Sequence, residues 1–289
     1  TRRLLAEMDR QLVLAASEPE YGFYLGDAAC WRTYIDSRPA EREALRNLVA
    51  QLRCAPHAGY GRLDERIVSG ELLVRNLAYG EATARAVLGA SGACYYAFGS
   101  GGICPQTPQL LAKARSAGTL TDLAVGGIPA LFWLVAPDAS RMLVRRKLPA
   151  PRASSLEILI ETVETQRREL LNLGLDVDIV VNRSLTPPPE VFFLGACRGL
   201  KQNIPSIRVT GAAGEEFLTE AAQRVRRENL EIASTGRLLT TADVGAVLAQ
   251  PAIKKAHAEV ENLVLIAERC SVAAALAGGE YPVDRIDAA

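Results

Sequence analysis

One stretch of the chain decides how the rest is interpreted: residues 59–77 read GYGRLDERIVSGELLVRNL. Two glycines flank Tyr60 and break regular structure, and the acidic pair Asp64 and Glu65 follows. Ser69 is typical of a helix N-cap, and leucines at helical spacing come directly after it. The stretch therefore predicts a polar loop that leads into a capped helix.

Outward from this loop, short apolar runs alternate with longer helical patterns. Residues 93–98 and 177–181 have the composition of strands, and residues 130–135 and 142–146 form a hairpin pattern. Strands that alternate with helices favour parallel βα units. Such units either close into a barrel or form an open, doubly wound sheet, so the sequence predicts an α/β fold of one of these two kinds.

The last part of the chain has a different pattern. Residues 252–277 form one alanine-rich helical run without a strand, and we place a boundary near residues 229–245. This divides the chain into residues 1–230 and a partial helical domain, residues 231–289. Three apolar residues of the helix need cover, which favours a homo-oligomer: Leu263, Ile266 and Val272.

Composition excludes several classes of function. Lys+Arg and Asp+Glu balance at 33 each, which argues against nucleic acid or an anionic membrane as partner. The six cysteines are scattered without metal-binding spacing, as expected for reduced core residues. No apolar run is long enough to span a membrane, and no signal sequence opens the chain. We therefore expect a cytoplasmic protein.

Three stretches, in a fixed order, resemble glycoside hydrolase family 38, the retaining α-mannosidases. Residues 59–77 resemble its pattern of an aromatic-containing strand end, Asp-Glu, Ser-Gly-Glu and a helix with Arg-Asn-Leu. Residues 100–111 resemble the loop and helix after the family's nucleophile, and residues 132–141 resemble its next strand and hairpin. Residues 280–282 are similar to the start of its middle helical domain. The resemblance spans residues 20–285.

This resemblance implies both a fold and a chemistry. The fold is a seven-stranded, TIM-like β/α barrel followed by a small helical domain; its first strand, with two metal ligands, would fall before Thr1. Family members hydrolyse α-mannosides through a covalent glycosyl-enzyme intermediate, with one carboxylate as nucleophile and a second group as acid/base. A zinc ion, held by His and Asp side chains, grips two hydroxyls of the sugar.

The residues that this chemistry needs are missing from positions where the chain has other residues. The nucleophile position is occupied by Gly99, and no carboxylate lies between Glu81 and Asp122. The late metal-binding loop corresponds to residues 182–187, which include no histidine and no acid. We found no zinc ligands and therefore expect no cofactor. Only two histidines occur: we expect His57 to be a partly exposed loop residue and His257 to be structural.

The sequence thus predicts a catalytically degenerate family member, without catalytic residues, that binds a carbohydrate or metabolite or acts as a partner subunit. We expect Tyr60 to stack on a sugar face, and Asp64 and Glu65 to accept hydrogen bonds from hydroxyls, at the strand C-terminal ends. The alternative for the two acids is that they cap the next helix or pair with Arg62 or Arg66.

Two other functions remain open at this point. The chain is an active α-mannosidase completed by a segment before Thr1, or a barrel repurposed for other chemistry. A chance match of an unrelated βα protein is disfavoured by the fixed order of the three stretches.

Overall fold

The computed structural model shows a mixed α/β fold. It describes residues 2–92, 94–98, 101–123, 129–146, 156–179, 189–204, 214–237, 239–240 and 251–283.

Helices and strands alternate along most of the described chain. The helices are α1 (Arg2–Ser17), α2 (Ala28–Ser37), α3 (Arg42–Ala50), α4 (Gly70–Leu88), α5 (Thr107–Lys113), α6 (Leu156–Leu171), α7 (Pro189–Asn203), α8 (Gly214–Arg227) and α9 (Pro251–Leu276). The strands are β1 (Phe23–Gly26), β2 (Cys54–Pro56), β3 (Cys94–Ala97), β4 (Gly102–Ile103), β5 (Gly118–Thr121), β6 (Leu131–Val135), β7 (Arg141–Arg146), β8 (Ser234–Thr235) and β9 (Leu239–Thr240).

Local chemistry fixes the ends of α4, the helix that follows the deciding stretch. The Ser69 hydroxyl accepts a hydrogen bond from the Leu72 amide at 3.1 Å, and Glu71 lies in the positively polarised first turn. At the other end Gly89 takes a left-handed conformation, with φ of 72°, which glycine adopts without steric cost. The predicted N-cap is therefore confirmed.

The central sheet has five strands in the order β3-β5-β7-β6-β8. Strands β3, β5 and β7 are parallel, whereas β6 runs antiparallel to β7, as the predicted hairpin requires. The parallel pair β1-β2 is joined to this sheet by one bridge, between His57 and Cys94. Seven strands therefore follow one another in space, from β1 to β8.

Helices cover both faces of the central sheet. Tyr96, paired with Leu120, faces a core that α8 completes with Phe217. Tyr95, on the opposite face, belongs to a second core that α5 completes with Leu111. A third core holds α1, α2 and α3 together beside β1. Both faces of the strands are therefore apolar, which explains their continuous hydrophobic runs.

The structure confirms the α/β class but not the seven-stranded barrel. Within the described ranges, the edge strands β1 and β8 pair only with β2 and β6, and helices lie on both sides of the sheet. The strand expected at residues 177–181 is not formed at residues 177–179; residues 180–181 lie outside the described part. There Asp178 accepts two hydrogen bonds from the buried guanidinium of Arg145, at 2.9 and 2.8 Å. The segment is therefore held against the sheet by a side chain.

Strand pairing continues beyond residue 230, where the sequence placed the boundary: β8 joins the central sheet beside β6, and β9 forms a separate two-stranded sheet with β4. Helix α9 differs from the rest, since none of its residues is buried. Side-chain hydrogen bonds join it to the start of α4: the Ser69 hydroxyl donates to Glu261, and the Arg75 guanidinium donates to Glu268. Among the described helices, none combines the length and apolar character that a membrane crossing requires.

Candidate functional site

The candidate site lies at one edge of the sheet, where the parallel strands β1, β2, β3 and β5 all end. The loop of residues 57–69 leaves the end of β2, and the segment of residues 101–106 follows β3 after a short interval outside the described residues. Loops at the carboxyl ends of parallel strands are where α/β folds place their ligands. The three residues predicted to line a cleft all lie on the first of these loops.

Glu65 is the buried centre of this region, with 5% of its surface exposed. It accepts hydrogen bonds from the Tyr95 hydroxyl and the Cys104 amide, both at 2.7 Å, and from the Thr107 hydroxyl. Burial raises the pKa of Glu65, although these three donors oppose the shift. The carboxylate therefore joins the loop to β3 and to the start of α5. Both of its oxygens accept hydrogen bonds within the protein, and its contact with a sugar stays a prediction.

Asp64 forms a two-pronged ion pair with Arg66. The distances are 2.9 Å from Nε to Oδ1 and 2.7 Å from the second nitrogen to Oδ2. Hydrogen bonding from Arg66 lowers the pKa of Asp64, so this carboxylate is ionised at neutral pH. The Asp64 side chain keeps 29% of its surface exposed, and Arg66 keeps 10%. Asp64 therefore stays partly exposed at the strand ends, whereas Arg66 is largely covered.

The Arg66 guanidinium fills the space beside Gly101. A methyl group at Gly101 would overlap the guanidinium, and one at Gly102 would lie 2.7 Å from the Leu239 carbonyl oxygen. Close packing against backbone therefore requires glycine at position 102, whereas a side chain at position 101 would force the Arg66 guanidinium to shift. A buried cation thus stands two residues after Gly99, which itself lies outside the described residues.

Tyr60 lies earlier on the same loop, where it contacts α4. Its amide donates to the Asn76 carbonyl at 2.8 Å, and its partly buried ring packs against the core of α1, α2 and α3. The ring also makes an edge contact with Tyr79, with centroids 6.5 Å apart. Close approach of α4 positions this part of the loop, since a methyl group at Gly80 would lie 2.5 Å from the Gly59 carbonyl carbon. Tyr60 and Tyr79 therefore form an aromatic pair beside the loop.

The two histidines occupy different environments. His57 was expected to be partly exposed, and this is wrong: it bridges Cys94 between β2 and β3, is 5% exposed, and its Nδ1 accepts a hydrogen bond from the Tyr96 amide at 3.1 Å. Burial lowers the pKa of His57 to about 4, so the ring is neutral and keeps its proton on Nε2. His257 lies on α9, 3.9 Å from Glu261.

The described residues do not fit the zinc ion that the resemblance implies. No group of three His, Cys, Asp or Glu side chains within the described part of the chain converges in a way that would hold a metal. The Asp64 carboxylate is paired with a guanidinium, and the Glu65 carboxylate is filled by three donors. The predicted late metal loop, residues 182–187, lies outside the described residues.

Sequence reasoning missed the residues that organise the two acids. Tyr95, Cys104 and Thr107 hold Glu65 from positions 30 to 42 residues away in sequence. No local pattern marks them, because their role arises only when the two loops meet. Arg66 was within reach of sequence reasoning, since pairing with it was one of the alternatives for Asp64.

The family resemblance is confirmed for the first part of the chain. Residues 1–122 match the model of the Glycosyl hydrolases family 38 N-terminal domain. The match covers α1 to β5 and includes the whole candidate loop. It assigns these residues to a family 38 N-terminal domain. A search of curated proteins found no match.

Solved structures show the same fold likeness. An α-mannosidase from Enterococcus faecalis V583 aligns with a TM-score of 0.67 and 19% identity, over 82% of this chain and 28% of its own. A glycosyl hydrolase family 38 protein from Enterococcus faecalis aligns with a TM-score of 0.69 and 20% identity, over 99% of this chain and 32% of its own. A 4-alpha-glucanotransferase from Thermococcus litoralis aligns with a TM-score of 0.53 and 13% identity, over 73% and 36%. The chain thus spans about a third of the length of these proteins.

Proposed function

We propose that this chain is a non-hydrolytic family 38 domain that binds an α-mannoside or a related carbohydrate at the carboxyl ends of its strands. The family match supports the class of ligand, and the loop of residues 57–69 supplies the polar groups. Hydrolysis would require a carboxylate nucleophile and a metal ion. At the position that corresponds to the nucleophile, the sequence has glycine, Gly99.

The observation that carries the proposal is the position of the Arg66 guanidinium. It packs against Gly101, beside the strand end at which the family's anionic nucleophile and metal ligand are expected. A fixed positive charge there opposes a bound cation and attracts electron-rich oxygens. Arg66 also forms an ion pair with Asp64, and the two together present donors and an acceptor to one ligand.

A carbohydrate suits this pair because each hydroxyl both donates and accepts hydrogen bonds. Asp64 accepts from one hydroxyl while a guanidinium nitrogen donates to its neighbour, a bidentate pattern that neutral polar side chains do not match in strength. Tyr60, on the same loop, and Tyr79, on α4, offer apolar ring surface to a sugar face. Glu65 contributes by holding the loop in place.

We further infer that the seven strands from β1 to β8 are this chain's counterpart of the expected barrel, open between its edge strands. The fold likeness to the Enterococcus faecalis structures supports this counterpart. In such a sheet the carboxyl ends of the parallel strands still lie along one edge. The ligand site therefore does not depend on closure of the strands into a barrel.

Calorimetric titration with methyl α-mannoside tests the proposal. We expect saturable binding to the wild-type chain and at least about tenfold weaker binding to Asp64→Asn, since loss of the charge weakens a charge-assisted hydrogen bond. The matched control is Asp138→Asn, the same change at an exposed turn, which should bind like wild type. Absence of saturable binding, or equal affinity of Asp64→Asn and wild type, would contradict the proposal.

A further inference from the structure

Asn76 is a buried polar residue in the interior of α4, with 7% of its surface exposed. Asparagine is one of the weaker helix formers, because its side chain competes with the backbone for hydrogen bonds. The Asn76 Nδ2 is also buried and has no hydrogen-bond acceptor among the described residues, which costs free energy. A position that carries both costs has a role other than the stability of its own helix.

The other end of the Asn76 amide group holds the backbone of the loop of residues 57–69. The Asn76 Oδ1 accepts a hydrogen bond from the Gly61 amide at 2.7 Å. The Asn76 carbonyl oxygen accepts a second hydrogen bond, from the Tyr60 amide at 2.8 Å. One residue of α4 therefore fixes two consecutive amides of the loop.

The unpartnered Nδ2 is a consequence of this arrangement. Because Gly61 offers an N–H group, the acceptor Oδ1 faces it, and the donor Nδ2 is turned toward Gly59. A methyl group at Gly59 would lie 2.5 Å from the Asn76 Nδ2 and 3.1 Å from the His57 Nε2. The His57 Nε2 carries a proton, since Nδ1 accepts from the Tyr96 amide, so it cannot accept from Nδ2. The bond to Gly61 is therefore made although Nδ2 is left without one.

Close backbone packing supports the same contact one turn further along α4. Gly80 lies four residues after Asn76 and therefore on the same face of the helix. A methyl group at Gly80 would lie 2.6 Å from both the Ala58 carbonyl oxygen and the Tyr60 amide nitrogen. The loop backbone thus lies directly on α4, without a side chain between them. This close approach brings Gly61 within reach of the short Asn76 side chain.

The bond at Gly61 is one of two anchors that enclose the residues proposed to bind the ligand. The second anchor is Glu65, whose carboxylate accepts hydrogen bonds from β3 and from α5. Only three residues lie between the two anchors: Arg62, Leu63 and Asp64. A short segment that is fixed at both ends has few conformations, so little conformational entropy is lost when a ligand orders it.

We propose that Asn76 is a positioning residue of the carbohydrate site: its side chain holds Gly61 and thereby places Asp64 for the ligand. Asn76 is not a ligand contact, since its side chain is buried and its Oδ1 is occupied by the loop. The identity of the ligand rests on the proposed function, whereas the anchoring of the loop does not. The inference also gives a role to the Asn of the Arg-Asn-Leu sequence at residues 75–77.

Asn76→Ala removes the anchor at Gly61. Alanine is the better helix former and leaves no unpartnered Nδ2, so we expect the midpoint of urea unfolding to stay near that of wild type. The affinity for methyl α-mannoside, measured by calorimetric titration, should nevertheless fall at least about fivefold, because the released segment must be ordered on binding. Asn47→Ala, the same change at an exposed position of α3, is the matched control and should bind like wild type. Equal affinity of Asn76→Ala and wild type, or a general destabilisation of Asn76→Ala, would overturn the proposal.

Amide hydrogen exchange, followed residue by residue by NMR, tests the anchor without a ligand. Asn76→Ala should speed exchange of the Gly61 amide at least about tenfold and leave the amide of Leu77 in α4 unchanged. Asn76→Asp keeps an acceptor oxygen for Gly61 and replaces Nδ2 by an oxygen to which the His57 Nε2–H can donate, so it should restore slow exchange. Fast exchange of Gly61 in wild type, or equally fast exchange in both variants, would overturn the proposal.

The two measurements separate this inference from the proposed function. If wild type does not bind methyl α-mannoside, the proposed function fails, while slow exchange of Gly61 that depends on Asn76 still supports the anchor. If wild type and Asn76→Ala bind with equal affinity, the proposed function stands and the positioning role fails.

Discussion

Replacement of Glu65 tests the conclusion that this residue is an internal anchor of the site loop. Glu65→Ala leaves three donors without their acceptor: the Tyr95 hydroxyl, the Cys104 amide and the Thr107 hydroxyl. A buried donor without a partner costs about 1–3 kcal/mol. Because the three share one carboxylate and relax together, we expect the free energy of unfolding to fall by about 3–5 kcal/mol rather than by the full sum.

Glu65→Gln keeps the size and shape of the side chain but removes the charge of the carboxylate. The glutamine carbonyl oxygen accepts from Cys104 and Thr107, and its amide donates to the Tyr95 oxygen once that hydroxyl rotates. Only the Tyr95 hydroxyl proton then lacks its acceptor, so the expected loss is about 1–3 kcal/mol, below that of Glu65→Ala. Urea unfolding monitored by circular dichroism gives both values. Glu169→Gln, at an exposed position of α6, is the matched control.

The pH dependence of the same variants gives a second test. Burial raises the folded-state pKa of Glu65 above the ordinary 4.5, so the folded state holds this proton more tightly than the unfolded state. The stability from this group is fully present below pH 4.5 and is lost as the pH rises through the folded-state pKa. Wild type should therefore lose stability relative to Glu65→Gln over that range. A constant difference between the two, or wild-type stability in Glu65→Ala, would refute the anchor role.

Three other substitutions probe the packing around the site and the sheet. Gly101→Ala should cost about 1–3 kcal/mol in urea unfolding, since its methyl group overlaps a buried guanidinium, whereas Gly70→Ala, with no neighbour within 4 Å, should be neutral. Arg145→Met should cost about 3–5 kcal/mol because it leaves Asp178 with an uncompensated charge, and adding Asp178→Leu should recover most of that loss. For His57, burial lowers the pKa from 6.5 to about 4, so unfolding midpoints of wild type should fall as the pH drops through that interval, and those of His57→Gln should not show this component.

Features encoded by neighbouring residues could be predicted from the sequence. The start of α4 depends on Ser69 and Leu72, three residues apart, and the β6–β7 hairpin depends on a single turn. In contrast, α2 was missed although its N-cap, Asp27, accepts from the Cys30 amide at 3.0 Å. Its buried residues Ala28, Trp31, Tyr34 and Ile35 do follow helical spacing, but the helix is only ten residues long, so the period repeats less than three times.

Features that depend on distant residues could not be predicted in this way. Strand β5 contains one large apolar residue, Leu120, and becomes a central strand only because β3 and β7 flank it. The sequence placed Asp64 and Glu65 side by side but could not say which one is buried. Glu65 is the buried one because Tyr95, on β3, and Thr107, on α5, donate hydrogen bonds to it.

The central claim, binding without hydrolysis, is tested most directly by the turnover of an aryl α-mannoside with zinc supplied in excess. We expect a rate no higher than that of the uncatalysed reaction, because the proposal assigns the nucleophile position to Gly99, and because the Arg66 guanidinium packs against Gly101, two residues further along the chain. Turnover that depends on added zinc and is abolished by a chelator would contradict the account.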